Sequence, residues 1–161
     1  MNMKTMLRCA LLSAVLLVSG SLSAADMGPV VALRAFFTEV AGQNYAPAWS
    51  AFTRRSQDGI VASVAGSEHM TPADVRKLFD ADDQRIRAGF WDSFKNSSQA
   101  ATFVEVAMAP GGALNGSDDS VVMTLPNGNT VALQMFREGG VWKVGWMETF
   151  FPDNKVPVSA H

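Results

Sequence analysis

Residues 139–150 read GGVWKVGWMETF, and this stretch gives the clearest indication of the fold. Apolar residues alternate after the two glycines, and a period of two predicts a half-buried β-strand. The residues on one side of that predicted strand are Trp142, Val144, Trp146, Glu148 and Phe150. Glu148 is the only carboxylate on this face. Because an unpaired carboxylate is costly to bury, we expect Glu148 either to lie at a wet edge or to have a partner, for example Arg54, Arg55 or Arg87.

The same alternation recurs upstream and predicts an antiparallel sheet. Residues 102–108, 120–125 and 130–137 each read as a strand, and residues 110–119 read as a turn-rich connection. The Asn-Gly pair at 127–128 predicts a tight hairpin, and the glycines at 139–140 predict another. Strands that follow one another through short turns are typical of an antiparallel meander.

The first half of the chain has helical spacing. Pro29 suits a first helical position and Gly42 suits an end, and a second short helix follows over 45–52. Residues 54–59 contain polar and glycine positions that predict an interruption. A long third helix is predicted from the cap at Thr71 to Lys95. Helices followed by an antiparallel sheet give an α+β fold, with N-terminal helices packed on one face of a curved sheet.

The N-terminus predicts a secretory signal. Basic residues precede an apolar run at 9–18, and small residues follow it up to Ala25. We expect cleavage after Ala25 and export to the Gram-negative periplasm or the medium. The run is too short to span a bilayer, so no membrane span is expected after cleavage. Cleavage removes Cys9, the only cysteine, and excludes disulfides and thiol chemistry.

The remaining chain is predicted to form a single domain over 26–152, followed by a flexible tail over 153–161. The chain holds 13 basic and 15 acidic residues, and Lys4 and Arg8 lie in the predicted signal. A mildly acidic domain does not have the charge that nucleic-acid binding needs. Neither His69 nor His161 has a partner at metal-ligand spacing, so we expect no metal and no cofactor.

Three local patterns resemble the nuclear-transport-factor-2-like superfamily, and within it a secreted bacterial lumazine-binding-like group. They are VALRAFF at 31–37, GQNYAPAW at 42–49 and EGGVWKV at 138–144. The resemblance implies a cystatin-like, cone-shaped α+β barrel. Enzymes of that superfamily carry out acid–base chemistry inside the cone. These motifs are packing motifs, so the resemblance bears on the fold more than on the activity.

Several residues are candidates for a site inside such a cone. If the protein is an enzyme, an isomerase or lyase, Glu148 and Tyr45 are the candidate catalytic residues, although a packing role is the simpler interpretation of Tyr45. The candidate pocket residues are Trp49, Phe90, Trp142, Trp146, Glu148, Gln134 and Glu105. For Gln134 and Glu105 the simpler interpretation is that they face solvent on the other side of the sheet, since a slip of one residue inverts the faces of a strand.

These observations favour a non-enzymatic module that binds a small apolar or amphipathic ligand in the cone. One alternative is a protein-interaction module that forms a homodimer or docks a partner through the sheet. A lyase or isomerase built on Glu148 is less favoured, because no complete catalytic set is present.

Overall fold

The computed structural model describes residues 28–109 and 114–153. The predicted signal at 1–25 lies outside the described residues, as does the predicted tail from residue 154 onward. The described chain has an α+β fold in which helices pack on a four-stranded antiparallel sheet. The predicted fold class is therefore confirmed.

Seven helices are present in the described residues. They are α1 (Pro29–Ala41), α2 (Tyr45–Ala51), α3 (Arg54–Glu68), α4 (Pro72–Asp80), α5, α6 (Ser98–Met108) and α7 (Trp146–Phe150). Helix α5 is continuous through an α-helical start (Gln84–Ile86), a π-helical turn (Arg87–Trp91) and an α-helical end (Asp92–Asn96).

The sheet follows the order of the chain. Its strands are β1 (Leu114–Gly116), β2 (Ser120–Thr124), β3 (Thr130–Glu138) and β4 (Val141–Gly145), each antiparallel to the next. One face carries the buried side chains Val121, Met123, Leu133, Met135 and Val144, which join the common core with α1 and α6. The alternation in β3 thus seals one face and leaves the other exposed.

Local signals placed several elements correctly. Pro29 begins α1, and the Thr71 hydroxyl caps α4 by accepting a hydrogen bond from the Asp74 amide at 3.2 Å. Gly128, between β2 and β3, has a φ of 83°. A left-handed residue of this kind is what a tight hairpin requires. The predicted helix over 29–41 and the predicted strands β2 and β3 are confirmed, and the helix predicted over 45–52 is present but ends at Ala51.

The predicted interruption at 54–59 is wrong, because these residues form the first turns of α3. The Thr53 side chain caps that helix by accepting a hydrogen bond from the Ser56 amide at 3.0 Å. Gly59 has a packing role: a Cβ built there would lie 2.9 Å from Met147 Cγ. The glycine allows α7 to approach α3 closely.

The predicted strand over 102–108 is wrong, because these residues belong to helix α6. Ser97 caps this helix by accepting a hydrogen bond from the Ala100 amide at 3.3 Å. Ala100, Phe103 and Ala107 then recur at helical spacing and are completely buried. The first strand of the sheet is instead β1, within the stretch that was predicted to be a turn-rich connection.

The predicted helix over 71–95 is divided in two. Helix α4 ends at Asp80, and Asp82 adopts a left-handed conformation with a φ of 50°. The Asp83 carboxylate then caps α5 by accepting a hydrogen bond from the Arg85 amide at 2.9 Å. The turn lets α5 run in a new direction.

The strand predicted over 141–150 ends at Gly145, and residues 146–150 form α7 instead. The Thr149 hydroxyl accepts a hydrogen bond from the Gln134 amide at 2.9 Å and donates one to the Gly145 carbonyl at 2.7 Å. The Thr149 hydroxyl therefore takes up the hydrogen bond of the Gln134 amide, which would bond to the backbone of β4 if that strand continued. The ring of Phe136 also occupies the space beside Gly145, where a Cβ would lie 2.6 Å from Phe136 Cε2.

Candidate functional site

A groove of about 550 Å³ lies between helices in the described part of the chain. It lies between the C-terminal end of α3, the helices α4 and α5, and the start of α7. Its floor is formed by buried and half-buried apolar side chains: Val64, Met70, Leu78, Ile86, Phe90, Phe94 and Trp146. Its rim is polar and exposed, and consists of Ser67, Glu68, Arg85, Gly89, Ser93 and Ser97.

A smaller cavity of about 150 Å³ adjoins the groove. The two share Val64, Phe90 and Trp146, and the smaller one is otherwise lined by Ile60, Ser63, Met147 and Phe151. The groove therefore has a polar rim at one side and a nearly apolar extension at the other. We call the two together the helix groove.

Aromatic rings form one wall of the helix groove. The Phe90 and Phe94 rings lie 5.7 Å apart, and the Phe94 ring lies 4.7 Å from that of Trp146. Trp146 is in position because β4 ends at Gly145 and α7 turns its first residue toward α5. The strand that the sequence predicts would have placed Trp146 on the sheet.

The backbone near the groove explains its shape. Helix α3 ends at Glu68 and is followed by His69, which has a left-handed φ of 53°, and the chain then reverses into α4. In α5 the π-helical turn Arg87–Trp91 accommodates one more residue than an α-helical turn would. Gly89 in this turn lines the groove, and a Cβ built there meets no atom within 4 Å. Turns of this kind occur frequently at functional sites.

Glu148 does not line the groove or the adjoining cavity, and it lies in a closed hydrogen-bond network with the start of α3. Its side chain is 7 % exposed. Oε1 accepts a hydrogen bond from the Thr53 hydroxyl and Oε2 accepts one from the Ser56 hydroxyl, each at 2.7 Å. The Ser56 oxygen in turn accepts a hydrogen bond from the Met147 amide at 3.0 Å. Glu148 thus joins the N-terminus of α3 to α7.

The observed partners of Glu148 are hydroxyl groups, whereas the sequence suggested an arginine. Arg54 lies 3.4 Å from Asp58, and Arg87 pairs with Asp82. The hydroxyls belong to the capping segment of α3, which the sequence had predicted to be an interruption. Recognising Thr53 as a helix cap would have pointed to this network.

Tyr45, the other candidate catalytic residue, is enclosed by a different set of side chains. It is 2 % exposed, and its ring stacks on Trp91 at a centroid distance of 4.8 Å. The Arg87 guanidinium carbon lies 5.4 Å from the ring centroid. The hydroxyl has no partner among the described residues. Burial, followed by the charge of Asp92, raises the pKa of the Tyr45 hydroxyl above its ordinary value.

Of the seven candidate pocket residues, the structure brings Phe90 and Trp146 together in the helix groove. Trp49 is buried, stacks on Phe79 at 4.1 Å and donates a hydrogen bond to Asp80. The Trp142 ring centroid lies 5.6 Å from the Arg137 guanidinium carbon, at the end of the sheet.

Gln134 and Glu105 are both exposed. Gln134 lies on the outer face of β3, and Glu105 lies on helix α6 instead of the expected strand.

The sequence did not single out the polar rim of the groove. Glu68 ends α3 and Arg85 lies in the first turn of α5, 17 positions further along the printed sequence. Only the turns at His69 and Asp82 bring them to one rim. The apolar floor was recognised as helical core. No spacing in the sequence distinguishes a core residue from a groove residue on the same helix face.

Comparison of the chain with protein-family models, with curated proteins and with solved structures finds no match. Within residues 28–109 and 114–153, no helix is both long and apolar enough to cross a membrane. The same residues contain no group of three or more His, Cys, Asp or Glu side chains that could hold a metal ion.

Proposed function

We propose that this protein binds a small amphipathic molecule in the helix groove and has no catalytic activity of its own. The observation that carries the proposal is the groove itself. Its volume of about 550 Å³ falls within the range of roughly 300–1,000 Å³ that is typical of small-molecule sites. An apolar floor with a few polar groups at the rim is the usual composition of such sites.

The position of this site differs from the expected one. The resemblance to the nuclear-transport-factor-2-like superfamily suggested a cavity between the helices and the sheet. In this chain the inner face of the sheet is buried against α1 and α6, and the groove lies between helices. Membership in that superfamily and export through an N-terminal signal both stay predictions.

The two other functions have less support. A lyase or isomerase would need an accessible base, and both oxygens of Glu148 are occupied by the hydroxyls of Thr53 and Ser56. An assembly module would need a large exposed apolar face. The outer face of the sheet has two large exposed hydrophobic residues among those described, Phe136 and Val141.

The proposal is tested by filling the groove at Gly89. A Cβ built at Gly89 meets no atom within 4 Å, so the fold should tolerate a leucine there. Because Gly89 lines the groove, we expect the leucine side chain to take up part of its volume. We expect Gly89→Leu to weaken binding of N-phenyl-1-naphthylamine, a neutral fluorescent probe, by at least about tenfold. The measurement is probe fluorescence against protein concentration, together with the thermal unfolding midpoint.

Gly66→Leu is the matched control. Gly66 is also a helical glycine with no atom within 4 Å of a built Cβ, but it is exposed on α3 and does not line the groove. This variant should bind the probe within about twofold of the parent. Equal binding by both variants, or no binding of the probe to the folded parent protein, would contradict the proposed function.

A further inference from the structure

The charges at the rim of the helix groove point to the class of ligand that it selects. Among the residues that line the groove, the ionisable side chains are those of Glu68 and Arg85. Each is exposed to solvent. One of the two is paired with an opposite charge and the other is not, and this difference determines the sign of the net charge at the rim.

Arg85 is neutralised by its own neighbour. Its Nε atom lies 3.1 Å from Asp83 Oδ1, and the same carboxylate oxygen accepts a hydrogen bond from the Arg85 amide. The Arg85 amide, followed by its side chain, holds the pKa of Asp83 below its usual value. The ionised carboxylate of Asp83 therefore lies beside the guanidinium and offsets its charge at neutral pH.

Glu68 has no such partner. No ion pair or side-chain hydrogen bond involves its carboxylate within the described residues. It is also the last residue of α3, a helix of 15 residues. The C-terminal end of a helix carries partial negative charge, which adds to the charge of the carboxylate. The rim thus has an excess of negative charge.

The aromatic wall also favours a positively charged ligand. Phe90, Phe94 and Trp146 lie beside one another in the groove. The faces of aromatic rings attract cations, and quaternary ammonium groups in particular are recognised in this way. The adjoining cavity of about 150 Å³ is nearly apolar and can accept a hydrocarbon chain.

We propose that the helix groove selects a cationic amphiphile, a free small molecule with an amine or quaternary ammonium head and a single hydrocarbon chain. The head lies between Glu68 and the aromatic wall, and the chain extends beside Phe90 and Trp146 into the adjoining cavity. This inference rests on the proposed binding function and adds the sign of the ligand's charge.

The test compares two detergents with the same hydrocarbon chain below their micelle concentrations. Decyltrimethylammonium carries a positive head and decyl sulfate a negative one. We expect the cation to bind about five- to tenfold more tightly, because it gains both the carboxylate and the aromatic faces. The preference should shrink in high salt, since Glu68 is exposed. Isothermal titration calorimetry gives both affinities.

Glu68→Gln should reduce the ratio of the two affinities to about twofold or less, because it removes the rim charge and keeps the side-chain size. Glu105→Gln is the matched control. Glu105 is an exposed glutamate on α6 that does not line the groove, and its replacement should leave the ratio unchanged.

The outcomes separate this inference from the proposed function. Equal or tighter binding of decyl sulfate would overturn the cationic preference, and so would a preference that survives Glu68→Gln. Binding of the neutral probe N-phenyl-1-naphthylamine with no binding of either detergent would also overturn the inference and leave the proposed function standing. Failure of all three compounds to bind the folded protein would overturn both.

Discussion

Glu148 illustrates how a buried carboxylate is stabilised by neutral groups. Each of its two oxygens accepts a hydrogen bond from a hydroxyl group. Each of those hydroxyl oxygens in turn accepts a hydrogen bond from a backbone amide. Hydrogen bonds to an ionised group are stronger than those between neutral groups. A single side chain of α7 therefore fixes the capping residues of α3, which lie more than 90 positions earlier in the chain.

Glu148→Gln should lower the free energy of unfolding by about 1–3 kcal/mol, because the amide nitrogen cannot accept a hydrogen bond and one buried hydroxyl loses its acceptor. Chemical denaturation followed by tryptophan fluorescence measures the change. Glu105→Gln, on an exposed site, should change stability by no more than about 0.5 kcal/mol. Equal stability of the two variants would contradict a structural role for Glu148.

A second prediction at the scale of a residue concerns Tyr45 and the dependence of stability on pH. Because burial raises the pKa of its hydroxyl, the folded protein keeps the proton above about pH 10, where the tyrosine of an unfolded chain ionises. Stability should therefore fall as pH rises from about 10 toward the pKa of the folded state. Tyr45 is the only tyrosine, so tyrosinate absorbance reports this group alone.

Tyr45→Phe is the control for that titration. It removes the absorbance change and this part of the pH dependence. Because the hydroxyl has no partner among the described residues, the variant should not be less stable at neutral pH. A tyrosinate midpoint at or below about pH 10 in the folded protein would refute the prediction.

At the scale of elements, the contact between α3 and α7 positions Trp146 at the groove. Gly59 provides the space for it, since a Cβ there would lie 2.9 Å from both Met147 Cγ and Cε. Gly66 on the same helix faces open space. Both positions gain helix propensity when alanine replaces glycine, so a comparison of the two isolates the packing between the helices.

We expect Gly66→Ala to raise the free energy of unfolding by up to about 1 kcal/mol, because alanine favours the helix. Gly59→Ala should be less stable than Gly66→Ala by about 1–3 kcal/mol, because the added methyl group displaces the Met147 side chain. Thermal and chemical denaturation of both variants give the comparison. If the two substitutions have the same effect, α7 does not pack against α3 at this point.

The elements differ in how far the sequence predicted them. Helices α1 and α4 begin at a proline, α4 also has the Thr71 cap, and the β2–β3 turn contains Asn127 and Gly128. These signals act within a few residues. The apolar residues in 102–108 fit the period of two of a strand and the period of 3.6 of a helix almost equally well. Burial of Ala100 and Ala107 against neighbouring elements selects the helix, and no local signal reveals that contact.

For the molecule as a whole, the α+β class could be predicted because it depends on which kind of periodicity comes first along the chain. The location of the candidate site could not be predicted in the same way. The expected site was a cone with a sheet wall, whereas the helix groove lies between α3, α4, α5 and α7. Phe90 and Trp146 were candidates for their aromatic character and line the groove, whereas Glu68 and Arg85 were not singled out because exposed charges on helices are common.

The sequence by itself determined the starts of α1 and α4 at prolines, the hairpins at Gly128 and at residues 139–140, and the α+β class, because turn chemistry and the fixed backbone of proline act between near neighbours in the chain. The tertiary structure alone decided that β4 ends at Gly145, that Glu148 pairs with Thr53 and Ser56, and that a groove opens beside Trp146. Each of these depends on contacts between residues that lie far apart in the sequence. Their free energy is gained only when the chain has folded.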